Sequence, residues 1–172
     1  MMHDLPKRKP TRLHGYDYSS PGVYFVTVCT KGRRELLSKI VGTGVLDGPK
    51  NFLTSYGEIA HKHLVGMSDF YDNVKIDKFI IMPNHIHLLI HIHEGKRGNG
   101  PSWTPVPTNS LIVRLISTFK RFCNKEYGEN IWQRSFHDHI IRNEQDYLKI
   151  WNYIDTNADK WEQDCFYVKE KE

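Results

Sequence analysis

The sequence predicts an α+β domain in which one four-stranded antiparallel sheet carries helices on one face. Three observations predict it. β-Branched and aromatic runs occur at four places, two of them parted only by a Pro-Asn turn signal. Apolar residues recur at helical spacing in three other segments. The segments follow one another as strand, helix, strand, strand, helix, strand, then one extra helix.

Residues 1–15, polar and basic ("HDLPKRKPTRLHG"), are expected as a loose arm. "GVYFVTVCT" (22–30) follows Pro21-Gly22 and reads as a buried strand. A polar loop is expected next. Phe52, Leu53, Tyr56, Ile59, Ala60, His63, Leu64 and Met67 then mark an amphipathic helix. "NVKIDKFIIM" and "HIHLLIHIH" are the second and third strands, joined as a hairpin through Pro83-Asn84. Residues 94–110, rich in Gly, Pro and Ser, form a flexible surface loop. Asn109 or Ser110 caps the next helix. There Leu111, Ile112, Leu115, Ile116, Phe119 and Phe122 face the core, while Arg114, Lys120, Arg121 and Lys125 lie away from that stripe. "QRSFHDHIIR" is the fourth strand, and a last helix runs from near Asn143 to about Trp161. This order is the ferredoxin-like split βαβ pattern. Its sheet leaves one face open, and an open face with basic flanks suits single-stranded nucleic acid.

The chain of 172 residues is expected as a single domain over 1–172, with 39% hydrophobic and 12% aromatic residues. A net charge of +4 admits a nucleic-acid partner without requiring one. Cys29, Cys123 and Cys165 form no CxxC pair, so a zinc ribbon is not supported, and their odd number points to a reducing, cytoplasmic setting. No apolar run approaches the ~20 residues of a membrane span.

"MPNHIHLLIHIH" places four histidines in nine residues. In a strand, Ile86, Leu88, Ile90 and Ile92 share the buried face, and His85, His87, Leu89, His91 and His93 share the other. His85 and His87 are then about 6.6 Å apart at the backbone, close enough for both imidazoles to reach one metal ion. His85 and His91 are about 20 Å apart, so all four cannot serve one ion. A metal site would need one pair plus ligands from elsewhere; a half-exposed sheet face tolerates histidines equally well. A histidine-triad hydrolase is excluded because Leu89 stands where a third alternate histidine is needed.

In the last helix Tyr147, Ile150, Trp151, Ile154, Ala158 and Trp161 form an apolar stripe. Tyr153 and Asn157 fall one turn apart on its flank, with Asp146 and Lys160 nearby. Such an edge suits a nucleophile and a metal ligand beside a sheet, although the same spacing is common on helices that carry neither.

"MPNHIHLLI", "WQRSFHDHIIRNEQDYLKIWNYIDTN" and "RLHGYDYSSPGVYFVTVCT" together resemble the HUH single-tyrosine transposases, and more closely the REP-associated tyrosine transposases. The resemblance covers roughly residues 10–164. It implies a ferredoxin-like fold that cleaves and rejoins single-stranded DNA, often beside a hairpin, through a 5′-phosphotyrosine. It implies His85, His87 and Asn157 around a divalent metal, Mg²⁺ or Mn²⁺, Tyr153 as nucleophile, and a homodimer. Two positions depart from the pattern: Ala158 where relatives carry proline, and His137 at a place often aromatic. Arg114, Lys120, Arg121, Arg134 and Arg142 are candidate phosphate contacts, and a solvated surface explains part of that set. Trp103 is a candidate base-stacking residue, and Tyr147 the fallback nucleophile. Two other readings remain at this stage: a binding module on the same sheet that does not cut, and a structural zinc protein using the HxH pair.

Overall fold

The computed structural model describes residues 20–42, 48–94 and 110–168. The expected arm at 1–15, Trp103, Asn109 and most of the 94–110 loop lie outside the described residues.

Strands β1 (Gly22–Cys29), β4 (Val74–Ile81), β5 (His85–Ile92) and β6 (His137–Ile141) form one antiparallel sheet in the order β4-β5-β1-β6. The two central strands, β5 and β1, are the most deeply buried of the four. Tyr24, Val26 and Val28 of β1 and Ile86, Leu88 and Ile90 of β5 are fully buried. They face α1 (Ser55–Val65) and α2 (Leu111–Tyr127), whose Ala60, Leu64, Ile112, Leu115, Ile116 and Phe119 complete the same core. Each such Val, Leu, Ile or Phe side chain stabilises the fold by about 1.5–3 kcal/mol relative to exposure.

Local chemistry sets the helix ends. Thr54 accepts from the Gly57 N–H at 3.2 Å, and Ser110 accepts from the Val113 N–H at 3.4 Å. Gly128, at φ 76°, ends α2 in the left-handed conformation. Asn143 starts α3 (Glu144–Thr156) by accepting from the Asp146 N–H at 2.8 Å. Gly57 is required by close approach, since a Cβ there would lie 2.0 Å from the Leu37 carbonyl oxygen.

The structure corrects the sequence reading in five places. A second hairpin, β2 (Ser38–Val41) and β3 (Lys50–Leu53), lies within and just beyond the expected polar loop. Phe52 and Leu53 therefore belong to a strand, and the Thr54 cap delays α1 to Ser55. Cys123, not Phe122, continues the buried stripe of α2; Phe122 sits half-buried at its edge, stacked on His63. β6 is His137–Ile141, shorter than residues 133–142: its ladder with β1 begins only at His137, opposite Thr27, and Trp132 before it makes an isolated bridge to Thr30. α3 stops at Thr156, and residues Ala158–Gln163 continue as a 3-10 segment broken at Lys160.

The fifth correction concerns the second sheet face, which is covered along its middle by α3. Ile154 is buried, Trp151 lies under the Lys78 ammonium at 4.1 Å, Lys78 pairs with Asp155, and Tyr147 donates to Asp77 at 3.3 Å. The apolar stripe read from the sequence is what seats this helix. Tyr147 is part of that seat.

Candidate active site

The site begins at the β4–β5 turn. Asn84 is fully buried, and its amide donates to the carbonyl oxygens of Phe166 (2.8 Å) and Arg33 (3.3 Å). Its Oδ1 is thereby turned to His85 Nδ1, 2.9 Å away. An amide oxygen only accepts, so Nδ1 carries the proton, and neutral His85 presents the lone pair of Nε2. Across the strand pair, Thr27 lies opposite His87 and holds its Nδ1 at 2.8 Å. The two Nε2 atoms converge to 2.9 Å.

Neighbouring elements close over the pair. Phe25 stacks on the His87 ring at 5.1 Å and meets Tyr153 edge-on. Tyr153, on α3, places its hydroxyl 3.2 Å from His87 Nε2 and donates to Asp164 Oδ2 at 3.0 Å. Asn157, 2% exposed at the C-terminal end of α3, donates to the same Oδ2 at 2.9 Å, and its Oδ1 is buried without a partner. Asp164 Oδ1 accepts from the Phe166 N–H at 2.7 Å. Phe166 packs its ring 4.6 Å from that of His85, and Arg33 anchors this segment by donating to the Cys165 carbonyl at 2.9 Å.

Burial dominates the electrostatics. It lowers His85 to about 4, with Asp164 opposing and Arg33 assisting. It likewise lowers His87 well below the ordinary histidine value, assisted by His85. Both imidazoles are therefore neutral at pH 7 and available as ligands. Burial also acts to raise the Asp164 carboxyl, but the Phe166 N–H, the Asn157 amide, His85 and the Tyr153 hydroxyl together hold it below the ordinary aspartate value. The Tyr153 hydroxyl is raised by burial and then by the Asp164 charge.

A divalent metal fits this donor set. Ligand atoms of His85, His87 and Asp164 all lie within 4.8 Å of one another, and Asn157, whose amide donates to Asp164, has a buried oxygen with no partner. Two imidazoles with oxygen donors suit Mn²⁺ on softness grounds better than Mg²⁺. His91 and His93 take no part; they stack at 4.1 Å at the far end of β5, where His91 faces Asp77 at 3.5 Å.

The structure thus brings together His85, His87, Tyr153 and Asn157, and adds Asp164 and Asn84, which the sequence reading did not single out as site residues. Asn84 was visible only as a turn former. Asp164 lies past a broken helix, where periodicity carries no information. The basic residues divide differently. Arg114 and Arg121 are exposed on α2, across the sheet from the histidines. Arg134 and Arg142 are exposed near the two ends of β6. Lys120 departs from its expected role: its ammonium donates to the carbonyl oxygens of Gln133 (2.7 Å) and Ser135 (3.0 Å), and burial lowers it to about 8. It braces α2 against the segment before β6.

Comparison with known proteins gives this arrangement a class. No family model matches the chain. A protein of Haemophilus influenzae named only as uncharacterized is 34% identical over 174 residues, covering 94% of this chain and 93% of its own. A REP-associated tyrosine transposase of Escherichia coli is 25% identical over 143 residues, covering 83% of this chain and 70% of its own. Among solved structures, a REP-associated tyrosine transposase bound to a REP hairpin superposes with a TM-score of 0.59 at 20% identity, covering 90% of this chain and 74% of that one. That last likeness establishes the fold.

The class defined is a DNA-processing enzyme of the tyrosine transposase type. Within it, the relatives named as REP-associated tyrosine transposases, matched over 83% and 84% of this chain, support that family. Among the described residues no helix is long and apolar enough to cross a membrane.

Proposed function

We propose that the chain cleaves and rejoins single-stranded DNA in a metal-dependent reaction with Tyr153 as nucleophile. One observation carries this reading: the Tyr153 hydroxyl stands 3.2 Å from His87 Nε2, which itself converges on His85 Nε2 at 2.9 Å. A nucleophile and a metal-binding pair are therefore adjacent.

His85, His87 and Asp164 would hold the metal, with Asn157 bonded to Asp164 beside them. Bound there, a divalent metal would supply Lewis-acid polarisation of the scissile phosphate. Tyr153 oxygen attacks phosphorus as the bond to the 3′ oxygen breaks, giving a 5′-phosphotyrosine and a free 3′-hydroxyl. The raised hydroxyl stays protonated until attack. Asp164, which already accepts its hydrogen bond, takes that proton, and the leaving 3′ oxygen takes one from solvent water. One P–O bond forms and one breaks, so the reverse step needs no nucleotide cofactor.

The E. coli relative and the hairpin-bound structure support a DNA partner, and we propose single-stranded DNA bearing hairpins. The homodimer implied by the resemblance is not needed to build this site, because Tyr153 and both histidines meet within one chain.

The test incubates the purified chain with Mn²⁺ and single-stranded oligonucleotides carrying the hairpins that flank its own gene. The expected result is a protein–DNA adduct on a denaturing gel, absent in Tyr153→Phe and His87→Ala. Tight binding with no adduct in wild type would replace this reading with a binding module that does not cut.

A further inference from the structure

Beside Tyr153 runs a groove of about 590 Å³ between α3 and the segment that follows the 3-10 turn. Lys149, Tyr153 and Asn157 line it from the helix, and Lys160 and Asp164 line it beyond. Lys149, Tyr153 and Asn157 are spaced by four, so they stack on one flank, and Lys149 stands about 6 Å before Tyr153 along the axis. Lys160 follows Asn157 where the helix breaks, at φ −113°. The nucleophile thus has an ammonium on each side.

These two cations are unlike their neighbours. Arg33 is held by the Cys165 carbonyl and the Phe166 ring, and Lys78 by Asp155 and Trp151. Lys149 and Lys160 have no ion-pair partner among the described residues. The acid in the groove does not compete for them, because Asp164 already accepts from Tyr153, Asn157 and the Phe166 N–H. An isolated phosphate fits one end of such a groove. An anion that engages both ends must extend past the tyrosine in both directions, as a polymer does.

We propose that this groove is the backbone subsite for the cleaved strand. Lys149 holds a phosphate on one side of the scissile one, and Lys160 holds a phosphate on the other. This rests on the phosphotyrosine reading above and adds residues to it. It also moves the main phosphate contacts away from Arg114 and Arg121, which lie across the sheet.

The test uses a fluorescein-labelled single-stranded oligonucleotide with the same flanking hairpin. Binding is followed by anisotropy between 50 and 200 mM salt, without Mn²⁺, for wild type, Lys149→Ala/Lys160→Ala and Lys149→Arg/Lys160→Arg. Each phosphate contact on a single strand contributes about 0.7 to the slope of log affinity against log salt, so the alanine pair should lose about 1.4 and the arginine pair should keep it. With Mn²⁺, the alanine pair should raise the DNA concentration for half-maximal adduct formation by about tenfold or more and leave the saturated rate within threefold. A slope equal to wild type in the alanine pair overturns the subsite, whether or not adducts form. A reduced slope with no adduct in wild type upholds the groove and overturns the phosphotyrosine reading alone.

Discussion

Asn84 is the residue whose removal separates support of the site from the site itself. Its side chain makes three hydrogen bonds: one oriented toward His85 Nδ1 and two to the Phe166 and Arg33 carbonyls. Asn84→Ala strands a fully buried imidazole N–H and releases the segment that carries Phe166. A buried polar group left unpaired costs about 1–3 kcal/mol, and the two donated bonds add about 1 each, so the loss should total about 3–5 kcal/mol. The functional cost is separate. Without Oδ1, nothing holds the proton on Nδ1, and the tautomer with Nε2–H turned into the site loses its lone pair. Loss of such a support typically weakens metal binding 10–100-fold. Urea unfolding reads the first effect and calorimetric titration with Mn²⁺ the second. Asn84→Asp divides them: its carboxylate still accepts from His85 Nδ1, so Mn²⁺ affinity should remain near wild type, while both donated bonds are lost and stability should fall. The reasoning is refuted if Asn84→Ala is destabilised as expected yet binds Mn²⁺ within twofold of wild type.

Three other outcomes follow from the same geometry. Gly57→Ala should destabilise the fold by more than the ~1–3 kcal/mol typical of overpacking, because its methyl meets the Leu37 backbone rather than a side chain that can move; denaturant midpoints measure this. The metal-free protein should be most stable above pH 6.5 and lose stability as the pH falls toward 4. His85 titrates at about 4 when folded and near 6.5 when unfolded, so the unfolded chain binds more protons in that window, and the slope should approach ~1.4 kcal/mol per pH unit for this group. A flat stability profile from pH 7 to 4.5 would contradict the burial argument. Asp164→Asn should slow adduct formation about 10²-fold or more at saturating Mn²⁺ while oligonucleotide affinity holds; a rate within threefold of wild type would remove Asp164 from proton transfer.

Much of this was legible in the sequence, for reasons that can be located. Strand alternation put Ile86, Leu88 and Ile90 on one face and the HxH pair on the other, and the sheet keeps that division. Spacing by four put Tyr153 and Asn157 on one flank of a helix, and both meet the histidines through Asp164 and His87. What escaped depends on irregular backbone. The β2–β3 hairpin was masked because Phe52 and Leu53 fit a helical period as well as a strand. The covering of the second sheet face follows from tertiary packing of α3, since its apolar stripe names no partner. Asp164 reaches the site only because the chain breaks at Lys160 and doubles back. Lys120 looked like a surface cation because periodicity cannot see the carbonyls of Gln133 and Ser135 waiting above it.

The central claim, that Tyr153 takes the DNA strand, is tested most directly by locating the covalent bond. A tryptic digest of the adduct parts the two candidate tyrosines, since Tyr147 falls in the 143–149 peptide and Tyr153 in the 150–160 peptide. Mass spectrometry should place a 5′-linked nucleotide on the 150–160 peptide alone. A nucleotide on the 143–149 peptide would contradict the account.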